Sequence, residues 1–237
     1  MATDRSGADL ADTFAGIARV LLAEDSLDAT LERVATTAVE VIPGCAHAGI
    51  SFVERGVVTT RAASDDLPCD IDSVQYETDE GPCLDAIREH EVVWTDDLAA
   101  EERWTTFAPE AAEFGIRSML SFRLFDEHKA LGALNLYAPE PRAFDQESRS
   151  TGAVLSAHAS VAIVSASDER HLRAALESRD LIGQAKGLLM ATEGLSADDA
   201  FDRLVHSSQH LNRKLVDVAR ELTQTGQLPS GSSARDS

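Results

Sequence analysis

The chain has 237 residues, 43% of them hydrophobic and 26% charged, which is enough for one large domain or two small ones and excludes a disordered or fibrous chain. Its formal net charge of −20 is unevenly spread: residues 1–177 hold 14 Lys and Arg against 33 Asp and Glu, and residues 178–237 hold 7 against 8. Polyanion binding rests on phosphate neutralisation by Lys and Arg, so the acidic first part is excluded as a nucleic-acid surface and only the last segment stays open to one.

No basic start followed by an apolar run opens the chain. The longest uncharged stretch, STGAVLSAHASVAIVSAS at 150–167, is rich in Ser and Ala and contains His158. The expectation is a soluble, cytoplasmic protein with no membrane segment. A first helix is predicted over 8–24, with Leu10, Phe14, Ile17 and Leu21 on one face. A second follows from DSLDATLERVATTAVEVIP, with Asp25 or Ser26 as N-cap and Pro43-Gly44 as the stop.

From about residue 46 to 137 the chain carries the runs AGISFV, VVTTRAA, EVVWT, RSMLSFRLF and ALGALNLYA, rich in β-branched and aromatic residues. ERG and DEHK are short polar connections between neighbouring runs, which predicts antiparallel pairing. Short helices are expected at 81–90, behind Gly81-Pro82, and near 107–115. Cys45, Cys69 and Cys83 have no C-x-x-C spacing, so they read as free thiols and not as a disulfide or zinc framework. Cys83 lies just inside a helix start, where its thiol could be activated, but burial as a small apolar side chain is the commoner fate. No metal site is expected.

DEGPCLDAIREHEVVWTDDLAAEERWTTFAPEAAEFGIRSMLSFRLF followed by ALGALNLYAPEPRAFDQ resembles a GAF domain, a small-molecule sensory module related in architecture to PAS domains. The resemblance implies a central antiparallel sheet with a pocket on one face and helices on the other. It names no ligand and no cofactor. Haem would need an axial ligand, with His47, His90, His128 and His158 as candidates, and an isolated histidine is more often structural. A bilin attached through Cys83 would need a His-bearing context that the surrounding residues lack.

From about 145 to 177 the chain reads as one helix in which only Gly152 is a breaker. Val154, Ala157, Val161 and Val164 have the 3-4 spacing of a seam between two helices, and packing of this helix on its own sheet is the competing reading. In the last segment, punctuation marks three helices. One runs to about Glu193 and is ended by Gly194, one begins at N-cap Ser196, and one runs from Asn212 to about Thr225, ended by Gly226. Leu181, Ile182, Ala185, Leu188 and Leu189, then Phe201, Leu204, Val205 and Leu211, then Leu215, Val218, Ala219 and Leu222 are the predicted core.

Outside that core, Arg179, Gly183, Lys186 and Met190 follow one another at i, i+4, i+7 and i+11, a single stripe with Gly187 beside it. Each helical glycine costs about 1 kcal/mol relative to alanine, so two so close together need a reason. Either they let a nucleic-acid backbone approach between cations, or they let a neighbouring helix pack closely; spacing alone leaves both open.

SRDLIGQAKGLLMATEGLSADDAFDRLVHSSQHLNRKLVDVARELTQTG resembles an ANTAR domain, a three-helix RNA-binding module, with AKGLLM, SADDAFDRL and NRKLVDVA in their expected order. The resemblance implies a transcription antiterminator, not an enzyme, that binds two adjacent hexaloop hairpins in nascent RNA as a homodimer, under control of its sensor domain. The candidate phosphate contacts are Arg179, Lys186, Arg213 and Lys214. Gln184, Ser207, Ser208 and Asn212 are candidate base or sugar contacts, with Gly183, Gly187 and Met190 completing the face; Asn212 competes as a helix N-cap.

The whole is therefore expected to be α+β: a GAF-like domain at 1–165, a connecting helix at 166–177, an all-α ANTAR module at 178–226 and a disordered tail at 227–237. The alternative is a DNA-binding regulator of helix-turn-helix type with NRKLVDVARELTQ as recognition helix, which Asp217 and Glu221 on its polar side weaken. His171 reads as a helix-surface residue, not a phosphoacceptor, for lack of a downstream ATP-binding glycine motif.

Overall fold

The computed structural model describes residues 15–89, 91–126 and 129–229, which fall into two units with the boundary between Asp168 and Glu169. Leu10, Phe14, His90, His128 and most of the predicted disordered tail lie outside the described residues. Residues 15–21 are helical, with Ile17 and Leu21 buried. Helix α1, Leu27–Val41, starts at Ser26, whose hydroxyl accepts the amide of Ala29 and so satisfies one of the free donors of the first turn.

Strands β1 (His47–Glu54) and β2 (Val57–Ala63) form a hairpin closed by Arg55 and Gly56, both at positive φ, the conformation a two-residue hairpin turn demands. Two helices follow, α2 (Leu67–Thr78) and α3 (Pro82–Arg88), then β3 (Val92–Thr95), α4 (Phe107–Glu113), β4 (Ser118–Asp126) and β5 (Lys129–Ala138). The sheet order is β2-β1-β5-β4-β3 with every neighbour antiparallel. Sequence patterning missed α2. Its signals were weak: Pro68 in the first turn, and Leu67, Ile71 and Val74 at helical spacing, among residues that otherwise read as a polar loop.

The two faces of the sheet differ in chemistry because side chains alternate along each strand. Ile50, Phe52, Leu120, Phe122, Leu124, Leu134 and Leu136 point to one face and form an apolar core with Leu31, Val34 and Ala38 of α1. Leu155, Ala159, Ala162 and Ile163 of helix α5 (Gln146–Glu193) complete it. The opposite face receives Ser51, Ser121 and Asn135, together with Met119 and Tyr137, beneath the helices that follow β2. An 18-residue window of α5 is long and apolar enough to cross a membrane; 39% of it is buried, with Leu155, Ala159, Ala162 and Ile163 packed on the sheet.

Gly152 is explained by this packing. A Cβ there would stand 2.3 Å from the ring of Phe122, itself fully buried. Gly152→Ala is expected to cost about 1–3 kcal/mol through overpacking, read as a lower denaturant midpoint, although alanine is the better helix former.

Candidate functional site

In the C-terminal unit the last part of α5 packs with α6 (Ala197–Leu211) and α7 (Leu215–Thr225) around Ala185, Leu189, Ala200, Leu204, Val218, Ala219 and Leu222. Gly194 ends α5 at φ +71° with its amide on the carbonyl of Met190. Ser196 caps α6 by accepting the amide of Asp199, and Gly226 ends α7 at φ +75°. Leu181 and Val205, predicted as core, are only half-buried and stand outside this cluster, and two further details differ from the sequence reading. Asn212 is the left-handed C-cap of α6, at φ 51°, and not the N-cap of α7; asparagine tolerates this conformation where a branched residue would not. Phe201 is 40% exposed, because Ala200 and Leu204 take the inward positions of α6.

Arg179, Gly183, Gln184, Gly187 and Met190 all lie exposed on α5, and Lys186 is half-buried with its Nζ 5.9 Å from the ring centroid of Phe201. Asn212, Arg213 and Lys214 are exposed at the α6–α7 corner, near which Ser207 and Ser208 are half-buried. The Ser208 hydroxyl donates to the carbonyl of Arg213 at 2.6 Å, and the Arg213 guanidinium pairs with Glu221 at 2.7 Å. Arg203 and Arg220 are likewise paired, with Glu193 and Asp217. Among the described residues of this unit, no carboxylate pairs with Arg170, Arg179, Lys186 or Lys214, and the last three lie within the three-helix segment.

The glycines now have a sharper reading. A Cβ built on Gly183 or Gly187 meets nothing within 4 Å, so close packing against a neighbouring helix of the same chain accounts for neither. Both leave bare helix backbone facing open space beside Lys186.

In the sensor unit, the second face of the sheet closes over a buried polar cluster that sequence reading did not find. Asp72 of α2 is fully buried. Its Oδ1 accepts from Tyr137 Oη, from Gln75 Nε2 at 2.8 Å and from Asn135 Nδ2 at 3.2 Å, and its Oδ2 accepts from Thr60 Oγ1 at 2.9 Å. Ser51 Oγ accepts from Asn135 at 2.8 Å and from the Cys83 thiol at 3.0 Å, and contacts Tyr76 Oη at 2.7 Å, which in turn lies 2.9 Å from Thr60. Every donor is neutral. Burial therefore dominates and raises the Asp72 carboxyl to about 6, against the partial relief given by its hydrogen bonds.

Cys83 is fully buried, and burial followed by the nearby Asp72 charge pushes its thiol well above the usual range; the inert fate holds, not the activated one. Cys45 is likewise raised by burial, to about 12. His47 Nδ1 lies 2.7 Å from Asp65, a surface pairing. The alternating polar positions of the strands, Ser51, Ser121 and Asn135, were the available signal for this cluster.

Comparison with curated proteins gave no match. Among solved structures, the fold is similar to the chromophore-binding domain of an unusual bacteriophytochrome from R. palustris, at 11% identity and a TM-score of 0.52, covering 70% of this chain and 64% of that one. The chain thus spans just under two thirds of that domain. It is also similar to free methionine-R-sulfoxide reductase from Neisseria meningitidis (18% identity, TM-score 0.56, 71% of this chain and 96% of that one). A third similarity is to the GAF domain of a phosphoenolpyruvate-protein phosphotransferase from Coxiella burnetii (17%, 0.55, 68% and 96%). At such identities these likenesses show the fold alone.

Family comparison is more specific: the GAF domain model matches residues 24–164, more than half of the chain, and the ANTAR domain model matches residues 170–222. The chain belongs to the GAF family and carries an ANTAR domain behind its sensor, an architecture characteristic of RNA-binding transcription antiterminators controlled by a GAF domain.

Proposed function

We propose that this protein is a cytoplasmic, signal-responsive antiterminator that binds paired hexaloop hairpins in nascent RNA as a homodimer, with Arg179, Lys186, Arg213 and Lys214 on the phosphates. Gln184, Ser207 and Asn212 are its polar contacts to bases or sugars. The observation that carries this reading is the open space over Gly183 and Gly187 beside an unpaired lysine: bare backbone next to a cation suits a phosphate chain better than it suits this chain's own helices. Arg213 must exchange Glu221 for phosphate, so its contribution is smaller than that of Lys186. The near-neutral charge of the segment makes each hairpin contact weak, and two contacts joined in a dimer act at high effective concentration.

A second copy has a surface to use. Val154 and Val161 are 37% and 61% exposed on the side of α5 turned away from the sheet, and Val161 lines a cleft of about 340 Å³ with Ala157, Val164 and Phe125. The seam spacing and the packing on the sheet thus coexist on different sides of one helix. Val161→Asp is expected to yield a monomer in sedimentation, with affinity for a single hairpin retained and the advantage of paired hairpins lost. Dimer persistence at micromolar concentration would move the interface elsewhere.

Fluorescence anisotropy of the full chain with labelled paired hairpins, a single hairpin and duplex DNA across a salt series tests the reading. Paired hairpins are expected to bind best, and Lys186→Ala with Arg213→Ala to reduce the log–log salt slope by about one to two, most of it from Lys186. Preference for duplex DNA would instead support a helix-turn-helix regulator. That reading is disfavoured because Asp217 and Glu221 already hold two of the arginines its recognition helix would present.

A further inference from the structure

Phe201 breaks the pattern of its helix. A three-helix unit this small has few large apolar side chains, yet this ring stands 40% exposed while Ala200, with almost nothing to bury, takes the inward place. An exposed aromatic costs its unit burial that a neighbouring polar residue would not have forgone. Its surroundings are as specific: Lys186 Nζ stands 5.9 Å from the ring centroid, at the outer limit of a cation–π contact, so the ammonium marks the ring without covering it. Met190, 40% exposed, follows Lys186 by one helical turn.

Resting on the RNA reading above, we propose that Phe201 is a stacking platform for one unpaired base of a hairpin loop, with Lys186 turning from the ring to the phosphate of that nucleotide. An aromatic face accepts any base and needs it unstacked, and a cation beside the ring neutralises the backbone that the base brings with it. Duplex DNA has no free base to offer, so the same ring that strengthens loop binding contributes nothing to a duplex. Gly183 and Gly187, one on either side of Lys186, leave the nucleotide's sugar–phosphate free of side chains where it passes α5. A phenylalanine offers no hydrogen bond, so the platform supplies affinity for single-stranded loops and leaves base identity to the polar contacts.

The test uses the full chain and paired-hairpin RNA, with Phe201→Leu, Phe201→Tyr and a set of RNAs in which each loop base in turn is removed to leave an abasic nucleotide. Phe201→Leu is expected to weaken binding about ten-fold with the salt slope unchanged, because stacking releases no counterions, while Phe201→Tyr keeps wild-type affinity. One abasic position should weaken the wild-type chain by the same factor and the leucine variant no further. Because the abasic series needs no variant, a misfolded leucine protein does not decide the matter. Equal affinity for all abasic RNAs, or a tyrosine variant as weak as the leucine one, overturns the platform while leaving RNA binding intact. Failure of the wild-type chain to bind any hairpin overturns the RNA reading itself.

Discussion

Alanine at both Gly183 and Gly187 is expected to stabilise the C-terminal unit, and leucine at both to abolish RNA binding without unfolding it. Each glycine costs a helix about 1 kcal/mol, and an added Cβ meets nothing at either position, so Gly183→Ala and Gly187→Ala should together raise the unit's stability by about 2 kcal/mol. A helical circular-dichroism melt checks this. Leucine is nearly as good a helix former, so the double leucine variant should still melt at or above the wild-type temperature. It fills the open face with branched side chains that a phosphate backbone would have to displace. The expected loss of paired-hairpin affinity exceeds ten-fold, read by anisotropy. A double leucine variant that binds RNA normally would place the interface elsewhere, and a double alanine variant that loses stability would mean that something packs on the glycines after all.

Asp72 carries the second large effect. Replacement by alanine strands the buried donors of Tyr137 and Gln75, while Asn135 keeps Ser51 and Thr60 keeps Tyr76, and each buried donor without an acceptor costs about 1–3 kcal/mol, so Asp72→Ala is expected to lose several kcal/mol or fail to fold. The wild-type chain should also show the carboxyl in its pH dependence. Its folded value of about 6 lies above the ordinary carboxylate range, so the folded state binds the proton more tightly than the unfolded chain. The stabilisation this group contributes is complete below about pH 4 and is lost as pH rises through 6. Between pH 8 and 5 stability should therefore increase by about 1–2 kcal/mol as pH falls, measured by urea denaturation at each pH.

Glu101, held at about 2 chiefly by its hydrogen bond with Arg103, and Asp97, lowered chiefly by Arg117, act in the opposite sense; their contribution is present above the unfolded carboxylate pKa and is lost in more acidic solution. In Asp72→Asn the rise between pH 8 and 5 should disappear. Its persistence would assign the titration to another group.

Much of the organisation was legible because it is written in local chemistry. The strands appear as runs of β-branched and aromatic residues, the β1–β2 hairpin as Arg-Gly between them, and the helix ends as Ser26, Ser196, Gly194 and Gly226, each satisfying or sparing backbone groups within a few residues of itself. The uneven charge and the cation–glycine stripe likewise follow from helical spacing and composition, and both set the C-terminal segment apart from the acidic sensor. Left open by spacing was the meaning of the glycines, because a gap left by a missing side chain can be filled from the same chain or from outside. Tertiary packing puts nothing of the same chain over them, which removes the first of these and leaves a partner from outside.

Three features were decided by tertiary structure alone. Asn212 ends one helix instead of starting the next because the short turn at that corner takes a left-handed residue, and the choice between neighbouring caps depends on where α6 stops. Phe201 stays outside because helix periodicity selects a face but not its rotation, and the close approach of the helices around Ala185 and Ala200 favours a small residue inside. The Asp72 cluster joins α2 to β5, more than sixty residues away, through Asn135 and Tyr137. No local pattern marks a carboxylate for burial. Its donors become neighbours only when β1 and β5 pair and α2 closes over them, since hydrogen bonds of this kind are selected by the fold and not by the residues on either side.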